Sequence, residues 1–354
     1  MSSLRLLCLP GDGIGPEIAG ATLRVLAAAA PRLGRSLEVE TAEIGFAALA
    51  AAGTTIPEAV LARARAADGV ILGPVSHNDY PPVAEGGRNP SGVLRRELAL
   101  FANIRPARTY PGLASPTGRR FDLVIARENL EGFYADRNMA AGGGEFMPEP
   151  GIALAMRKIT EAGSRRIAEA AFRLAAGRQA RRVTAIHKAN VMRLSDGLFL
   201  EVVREVAARH PEIACEELLV DAAAAHLVRE PERFDVLLCT NMFGDILSDL
   251  AAELAGGLGL AGSLNHGETN AVAQAQHGSA PGIAGQDRAN PVSLILSAAM
   301  LLRHLGEAPA AAAIEASVAR ALAAPESRTG DLGGPLGTAG FTDLLCQLIP
   351  EAPQ

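Results

Sequence analysis

The chain has few cysteines and no long run of basic residues, and each shortage excludes a class of protein. Its four cysteines, Cys8, Cys215, Cys239 and Cys346, lie far apart and form no Cys-x-x-Cys pair. A structural zinc site and a disulfide framework are therefore not expected. With a net charge of −6 and without a Lys/Arg-rich segment, the chain is not expected to bind nucleic acid or an anionic membrane.

Long apolar runs are missing as well. The apolar run near the N-terminus covers only Leu6–Leu9 before Pro10, which is too short for the core of a signal peptide. No stretch approaches the roughly 20 apolar residues that cross a bilayer. Hydrophobic residues make up 49% and charged residues 20% of the chain, the composition of a compact globular protein. We therefore expect a cytoplasmic protein that does not enter membranes.

Short apolar runs alternate with longer amphipathic patterns along the chain. The runs predicted to be buried strands are Leu4–Leu9, Gly69–Leu72, Leu123–Ala126, Arg182–Ile186 and Val236–Cys239. The patterns predicted to be helices are Pro16–Ala30, Ile152–Ala176, Leu198–Ala208, Ile246–Ala255 and Pro291–Leu305. This alternation predicts an α/β fold whose largely parallel sheet is covered by helices. The glycine-rich segment Ala141–Gly144 is expected to be a mobile loop or a projecting arm.

A glycine-rich turn follows the first predicted strand. The segment Gly11–Gly15 is similar to the dinucleotide fingerprint G-x-G-x-x-G, but Pro16 occupies the place of the third glycine. Proline suits the first turn of a helix, yet it cannot provide the close helix–strand packing that the fingerprint requires. We therefore expect a tight strand-to-helix turn beside a cleft, and not a conventional Rossmann site.

Three aspartates are candidate metal ligands. Asp245 and Asp249 follow the predicted strand Val236–Cys239 and share one helical face. Acids near a helix start also stabilise the helix dipole, which in isolation is their commoner role. Asp221 opens the small apolar stretch Ala222–Ala225, which is predicted to be buried, and a buried carboxylate requires a cation. Without a nearby Cys/His cluster, these carboxylates favour Mg²⁺ or Mn²⁺.

Basic side chains also follow predicted strands. Lys188 comes after Arg182–Ile186, at the end of a strand where α/β proteins place ligands. An exposed, solubilising lysine is the alternative.

Three arginines could form a cluster that pairs with substrate carboxylates, although each alone is more often a surface residue. They are Arg95, Arg105 and Arg127.

A long loop precedes the last of the predicted helices. It runs from His277 to Pro291 and is rich in small residues. Free backbone amides and small side chains suit the close approach of a phosphate or a ribose. An ordinary connecting loop would have nearly the same composition.

Taken in order, these segments resemble the isocitrate/isopropylmalate dehydrogenase family of β-decarboxylating dehydrogenases. The resemblance extends from Leu9–Glu17 to Asp331–Gly334, nearly the whole chain. It implies an isopropylmalate dehydrogenase-like two-domain α/β fold. On that pattern, residues 1–100 and 253–354 form a large domain with the cofactor loop. Residues 101–252 form a small domain with the dimer interface, the catalytic lysine and the metal acids.

The family pattern also implies a homodimer whose active sites are shared. Lys188 and Asp221 of one subunit would then meet Tyr134, Asp245 and Asp249 of the other. The three aspartates would bind the metal, Lys188 would accept the proton of the substrate's C2 hydroxyl, and Tyr134 would protonate the carbon that loses CO₂. Three arginines would hold the carboxylates of the hydroxy acid substrate, namely Arg95, Arg105 and Arg127.

The cofactor residues implied by the resemblance are His277, Gly278, Ser279, Ala280, Ile283 and Asn290. In NAD-using relatives an acid follows the proline of this loop, and NADP-using bacterial isocitrate enzymes place a lysine and a tyrosine there. This chain has Gly282 and Ile283 instead. Because Arg288 is the one candidate cation for a 2′-phosphate, we expect NAD in preference to NADP. Gln274 also stands where relatives usually have glutamate.

Substrate choice is expected to depend on Asn89 and Ser91. Isopropylmalate enzymes place leucines around the positions of Ser91 and Gly92, and removing that apolar wall forfeits about 2 kcal/mol. The polar residues suit isocitrate or homoisocitrate first, then tartrate or malate, and then 3-isopropylmalate.

A non-catalytic regulatory paralogue is an alternative, but Tyr134, Lys188 and the three aspartates are all present. A metal-dependent isomerase or hydrolase without nucleotide is another, against which the loop at His277 argues.

Overall fold

The molecule is built on one ten-stranded sheet that helices cover on both faces, as the alternation of sequence patterns predicts. The computed structural model describes residues 3–134 and 136–349. Strands β1 to β12 span Ser3–Leu9, Ser36–Thr41, Gly69–Leu72, Ala102–Arg108, Asp122–Glu128, Glu145–Glu149, Ile152–Ala155, Arg182–His187, Ala214–Leu219, Val236–Cys239, Leu264–His266 and Ala271–Gln274. Helices α1 to α11 span Gly15–Ala29, Gly45–Ala52, Glu58–Ala66, Pro90–Glu97, Glu161–Ala176, Ser195–Ala207, Val220–Arg229, Asn241–Ala255, Val292–His304, Ala308–Ala323 and Thr338–Leu348.

The strand order of the large sheet is β2-β1-β3-β12-β11-β4-β5-β10-β8-β9. Its pairs are parallel except where β11 meets β12 and β4, and where β4 meets β5. The α/β class and the largely parallel sheet are therefore confirmed. All five predicted strands are present, and along β10 the side chains of Val236 and Leu238 pack on one face while those of Leu237 and Cys239 pack on the other.

Four apolar clusters fill the space between the sheet and its helices. Helices α1, α9, α10 and α11 cover one face of the half that contains β1 and β3, and α3 and α4 cover the opposite face. Helices α5 and α6, and α7 and α8, do the same for the half that contains β5 and β10. Because the sheet is continuous through both halves, the division into a domain of residues 1–100 and 253–354 and a domain of residues 101–252 stays a prediction.

The predicted helix Ile152–Ala176 is wrong over its first nine residues. Ile152–Ala155 is a strand that pairs antiparallel with Glu145–Glu149, so the glycine-rich segment before it leads into a two-stranded arm. The helix begins at Glu161, where the Thr160 hydroxyl accepts a hydrogen bond from the Gly163 amide at 3.0 Å. The apolar residues before it recur at every second position, Ile152, Leu154 and Met156, which is the period of a strand.

The glycine-rich turn after β1 is tight, as predicted. Gly13 has a φ of 58°, and a Cβ atom there would lie 2.0 Å from the carbonyl oxygen of Ser279. The Ile14 amide donates to the same oxygen at 2.8 Å. The turn therefore holds the predicted cofactor loop by direct backbone contact. Within the described ranges, no helix combines the length and apolar character that crossing a membrane demands.

Candidate active site

A cavity of about 310 Å³ gathers most of the charged side chains that the sequence singles out. Its lining includes nine of the predicted site residues, namely Asn89, Ser91, Arg95, Arg105, Arg127, Tyr134, Asp245, His277 and Gly278. They come from α4 and its N-cap, from β4 and β5, from the loop after β5, from α8 and from the loop after β12. The loops at the ends of neighbouring strands of an α/β sheet are the usual place for a ligand site.

Arg105 and Arg127 are held in place by α8. Arg105 donates from Nη1 to the carboxylates of Asp245 and Asp249 at 3.1 and 3.2 Å, and to the Ser248 hydroxyl at 2.8 Å. Arg127 is almost fully buried; it pairs with Asp245 and donates from Nη2 to Asn241 Oδ1 at 2.7 Å. Two guanidinium groups are thus fixed before any substrate binds, which lowers the entropy lost on binding a carboxylate.

Arg95 has a weaker set of partners. Its Nη2 donates to the neutral Gln274 side chain at 3.2 Å, while its buried Nε has no hydrogen-bond partner in the described part of the chain. Burial, and then the nearby positive charges of Arg137, Arg127 and Arg105, lower the pKa of Arg95 below its usual range. A buried guanidinium without a counter-charge is costly, so this position calls for an anion from outside the chain.

Tyr134 and Asp245 form the acidic centre of the cavity. The Tyr134 hydroxyl donates to Asp245 Oδ2. Burial raises the pKa of Tyr134, which keeps its proton available for transfer. Burial opposes the ionisation of Asp245 too, but Arg127, Arg105 and the Tyr134 hydroxyl outweigh it and hold the pKa of Asp245 below its usual range. The pair therefore presents a protonated phenol beside an ionised carboxylate.

Lys188 and Asp221 lie together but outside this cavity. Lys188 Nζ is 2.6 Å from Asp221 Oδ1, and the ammonium group lowers the pKa of that carboxyl. The backbone amide of Lys188 donates to Asp196 Oδ2 at 2.6 Å, and Asp196 is fully buried and paired with Arg157. The loop that carries Lys188 is thus fixed by a buried ion pair, although its side chain is not at the arginine cluster of its own chain.

The predicted burial of Asp221 is wrong. Its side chain is 65% exposed, and of the alanines that follow it only Ala223 is buried. Helix α7 packs one narrow face on β8, β9 and α8, so Ala223 and Ala224 pack on the core while Ala222 is half-buried and Ala225 is exposed. A run of alanines does not determine burial, because alanine is equally suited to the exposed face of a helix.

The predicted metal acids are divided between two places. Asp245 and Asp249 lie side by side on α8 with Arg105 between them, whereas Asp221 is beside Lys188. Among the described residues, no three His, Cys, Asp or Glu side chains are grouped so that they could hold a metal ion. The carboxylates of α8 are oxygen donors suited to Mg²⁺ or Mn²⁺. Within a single chain, however, only two of the three predicted ligands, Asp245 and Asp249, lie at the same place.

The predicted cofactor residues belong to one ordered loop. His277 and Gly278 line the cavity, the Ser279 hydroxyl is 2.7 Å from that of Ser76, and Ile283 packs on the core. Asn290 donates from Nδ2 to Asp331 at 3.0 Å. Burial lowers the pKa of His277, and its buried Nε2 has no partner within the described residues. The loop therefore offers a neutral imidazole to a ligand.

One arginine of the cavity was not predicted. Arg137 lines the same cavity, with a side chain only 6% exposed. Its guanidinium lies 4.9 Å from the centroid of the Tyr134 ring, and Arg127 lies 5.1 Å from that centroid. Arg137 follows no predicted strand, so the rule that located Arg127 gave no signal for it.

Comparison with known proteins supplies the context for this geometry. The family model described as isocitrate/isopropylmalate dehydrogenase matches residues 5–345. The chain is 42% identical over 345 residues to the isocitrate/homoisocitrate dehydrogenase of Thermus thermophilus, with 98% of each chain covered. It is 40% identical over 352 residues to the 3-isopropylmalate dehydrogenase of Archaeoglobus fulgidus, covering 98% of this chain and 99% of the relative. The crystal structure of isocitrate dehydrogenase from Methylococcus capsulatus matches with a TM-score of 0.88 and 39% identity over 99% of both chains.

Proposed function

We infer, since the chain belongs to the isocitrate/isopropylmalate dehydrogenase family, that it oxidises and decarboxylates a 2-hydroxy acid that carries a β-carboxylate. The observation that carries this proposal is the cavity in which Arg95, Arg105 and Arg127 surround the Tyr134–Asp245 pair. Fixed guanidinium groups bind carboxylates, and a buried phenol beside them can donate a proton. We include NAD, ahead of NADP, and Mg²⁺ or Mn²⁺ in the proposal.

The residues of the chain divide the reaction between them. The arginines hold the two carboxylates, so that the C2 hydroxyl faces the lysine. Lys188 accepts the proton of that hydroxyl as hydride leaves C2. Tyr134 gives its proton to the carbon that loses CO₂, and the neighbouring Asp245 and Arg127 hold the phenol in position. A divalent ion held by Asp221, Asp245 and Asp249 would supply a Lewis acid for the C2 oxygen, and bound NAD would supply the hydride acceptor.

A homodimer with shared sites completes this arrangement. Lys188 and Asp221 do not line the cavity of their own chain, so we propose that each pair serves the partner's site. Apolar side chains near them and on α8 are exposed in the single chain, with Val191 at 69%, Leu194 at 90% and Ile246 at 60%. Exposed apolar groups of this size favour burial against a second copy.

The cofactor proposal depends on the loop after β12. His277, Gly278, Ser279, Ala280, Ile283 and Asn290 would contact the dinucleotide. A Cβ atom at Gly282 would meet nothing within 4 Å, so this position leaves room for the ribose and contributes no charge. Because Gly282 itself supplies no cation for a 2′-phosphate, this position favours NAD.

The substrate proposal depends on the start of α4. The Ser91 hydroxyl donates to Gln274 Oε1 at 3.1 Å, and the Asn89 side chain accepts from the amides of Ser91 and Gly92. These groups give the wall of the cavity a polar surface. We therefore rank isocitrate or homoisocitrate first, then tartrate or malate, and 3-isopropylmalate last.

The experiment tests each candidate acid with each of the two cofactors. Purified protein with Mn²⁺ is assayed for reduction of NAD and NADP by isocitrate, homoisocitrate, D-malate, tartrate and 3-isopropylmalate, with an EDTA-treated sample as the control. We expect NAD reduction with isocitrate or homoisocitrate, abolished by EDTA. If no acid reduces either cofactor, and neither metal nor dinucleotide binds in equilibrium dialysis, the proposed function is wrong.

A further inference from the structure

Arg137 is a buried cation with unused hydrogen-bonding capacity. Its side chain is 6% exposed, and its Nε and Nη2 donate to the Asp136 carboxylate at 3.1 and 3.2 Å. Its Nη1 is buried and has no partner among residues 3–134 and 136–349. Because leaving a buried donor unsatisfied is costly, a ligand atom that accepts this hydrogen bond would be bound favourably.

The Asp136–Arg137 pair lies against the first turn of α4. A Cβ atom added to Gly92 would lie 2.8 Å from Asp136 Oδ2 and 3.6 Å from Arg137 Nη2. Glycine at position 92 therefore makes the space that the pair occupies. This turn also contains Asn89 and Ser91, the residues proposed to face the variable substituent of the substrate. A charged pair thus stands where an apolar wall would be needed for an isopropyl group.

With a divalent ion bound, the charge of the cavity would be larger than a dicarboxylate can balance. Four guanidinium groups line it, and the carboxylates that contact them in the described part of the chain are Asp136, Asp245 and Asp249. Gln274 contacts Arg95 without adding a charge. One positive charge is therefore in excess, and a bound divalent ion would raise the excess to three. A fully ionised tricarboxylate carries three negative charges, whereas malate, tartrate and isopropylmalate carry two.

We propose that Arg137 binds a third carboxylate, carried by the substituent at C3, and that the substrate is a tricarboxylic 2-hydroxy acid. This inference rests on the proposed function, because it names the substrate class of the same site. Nη1 of Arg137 donates to the third carboxylate, while Arg95, Arg105 and Arg127 hold the two carboxylates common to all candidate acids. The competing role is structural, in which Arg137 only supports the ring of Tyr134.

Substitution of Arg137 separates these roles. We expect the ratio of kcat/KM for isocitrate to kcat/KM for D-malate to fall about 100-fold in Arg137→Gln, with partial recovery in Arg137→Lys. Arg120→Gln, at an exposed arginine that does not line the cavity, is the matched control. The affinity for isocitrate, measured by calorimetry in EDTA without dinucleotide, should fall by a similar factor. Equal losses on both acids, or no loss on either, would overturn the proposal.

Gly92 gives a second, independent variant. Gly92→Leu should displace the Asp136–Arg137 pair and place an apolar side chain at the substituent, so activity shifts from isocitrate toward 3-isopropylmalate. Gly92→Ala is the control that adds the Cβ alone. A wild-type enzyme that prefers 3-isopropylmalate would overturn this inference and leave the proposed decarboxylating oxidation intact. A protein that oxidises none of the acids would instead contradict the proposed function itself.

Discussion

The surroundings of individual side chains in this site determine their charge and their exposure. Burial and the hydrogen bond to Asp245 keep Tyr134 protonated, while the arginines keep Asp245 ionised. The side chain of Lys188 is 27% exposed and forms an ion pair with Asp221. Solvent or a second subunit can therefore reach it. The proposed proton acceptor and the proposed proton donor are thus kept in different environments, as opposite roles require.

Replacement of Lys188 tests the proton acceptor. The chain has only two lysines, so Lys158→Met is a closely matched control for Lys188→Met. We expect kcat to fall about 10²- to 10⁴-fold in Lys188→Met, because the substrate hydroxyl loses its base. Steady-state rates of NAD reduction measure this, and binding of NAD should change little. A Lys188→Met enzyme with nearly wild-type kcat would exclude Lys188 as the base.

Glu128 should make stability depend on pH. Burial raises its pKa to about 7, from 4.5, although both oxygens accept backbone amides, those of Leu130 and Glu131. A raised carboxyl pKa stabilises the fold fully below pH 4.5, and this contribution is lost as pH rises to about 7. Relative to wild type, Glu128→Gln should therefore gain about 3 kcal/mol of unfolding free energy over that window.

Urea unfolding at pH 5, 6, 7 and 8 measures this difference at one protein concentration. The exposed residue Glu145 provides the control variant Glu145→Gln. A free-energy difference between Glu128→Gln and wild type that stays constant from pH 5 to pH 8 would show that Glu128 is not the titrating group.

The sequence located Arg127 because it follows a predicted strand, but it missed Arg137 and misjudged Asp221. Arg127 lies in β5, so strand position predicts where it points, whereas Arg105 lies in β4, which was not predicted. The position of Arg137 depends on Gly92, which is 45 residues earlier in the chain and leaves space for the pair with Asp136. Such a contact is set by tertiary packing, and no local pattern encodes it.

At the scale of the element, we propose that the loop after β12 determines cofactor choice. It is held by the Gly11–Gly15 turn through the Ile14–Ser279 hydrogen bond and by the contact of Ser76 with Ser279. The position expected to contact the ribose, Gly282, is exposed and has open space around it. An anchored loop with a replaceable residue at its tip allows cofactor preference to be changed without altering the fold.

Gly282→Asp tests this view of the loop. A carboxylate there would accept the ribose hydroxyls and repel a 2′-phosphate, so we expect the NAD-to-NADP ratio of kcat/KM to rise about 10-fold or more. Gly282→Asn is the control that keeps the size and removes the charge. The same change in kcat/KM for both cofactors would mean that this position does not contact the ribose.

Element prediction succeeded where one pattern dominated. The buried strands and the helix starting at Gly15 follow from short apolar runs and from Pro16 in the first helical turn. A projecting arm was one of the two expectations for the glycine-rich segment, but its strands were missed because they are exposed on both faces. An alternating run of only three apolar residues was merged with the helix that follows. The strand pair is defined by its cross-strand hydrogen bonds, which composition does not reveal.

For the whole molecule, the proposed dimer makes each active site depend on two chains. Lys188→Met and Tyr134→Phe chains, each inactive as a homodimer, should regain activity when they are refolded together at equal amounts. Shared sites predict about a quarter of the wild-type sites, because half of the dimers are mixed and each has one intact site. Refolding each variant alone is the control. If every chain held its own complete site, mixing would restore nothing.

The central claim is that oxidation and decarboxylation are coupled at one site. The most direct measurement is the amount of NADH and of CO₂ formed in the same reaction, with Mn²⁺, NAD and isocitrate or homoisocitrate. We predict one CO₂ for each NADH over the whole time course. Formation of NADH without CO₂, or no NADH although acid, metal and NAD are all shown to bind, would contradict the account.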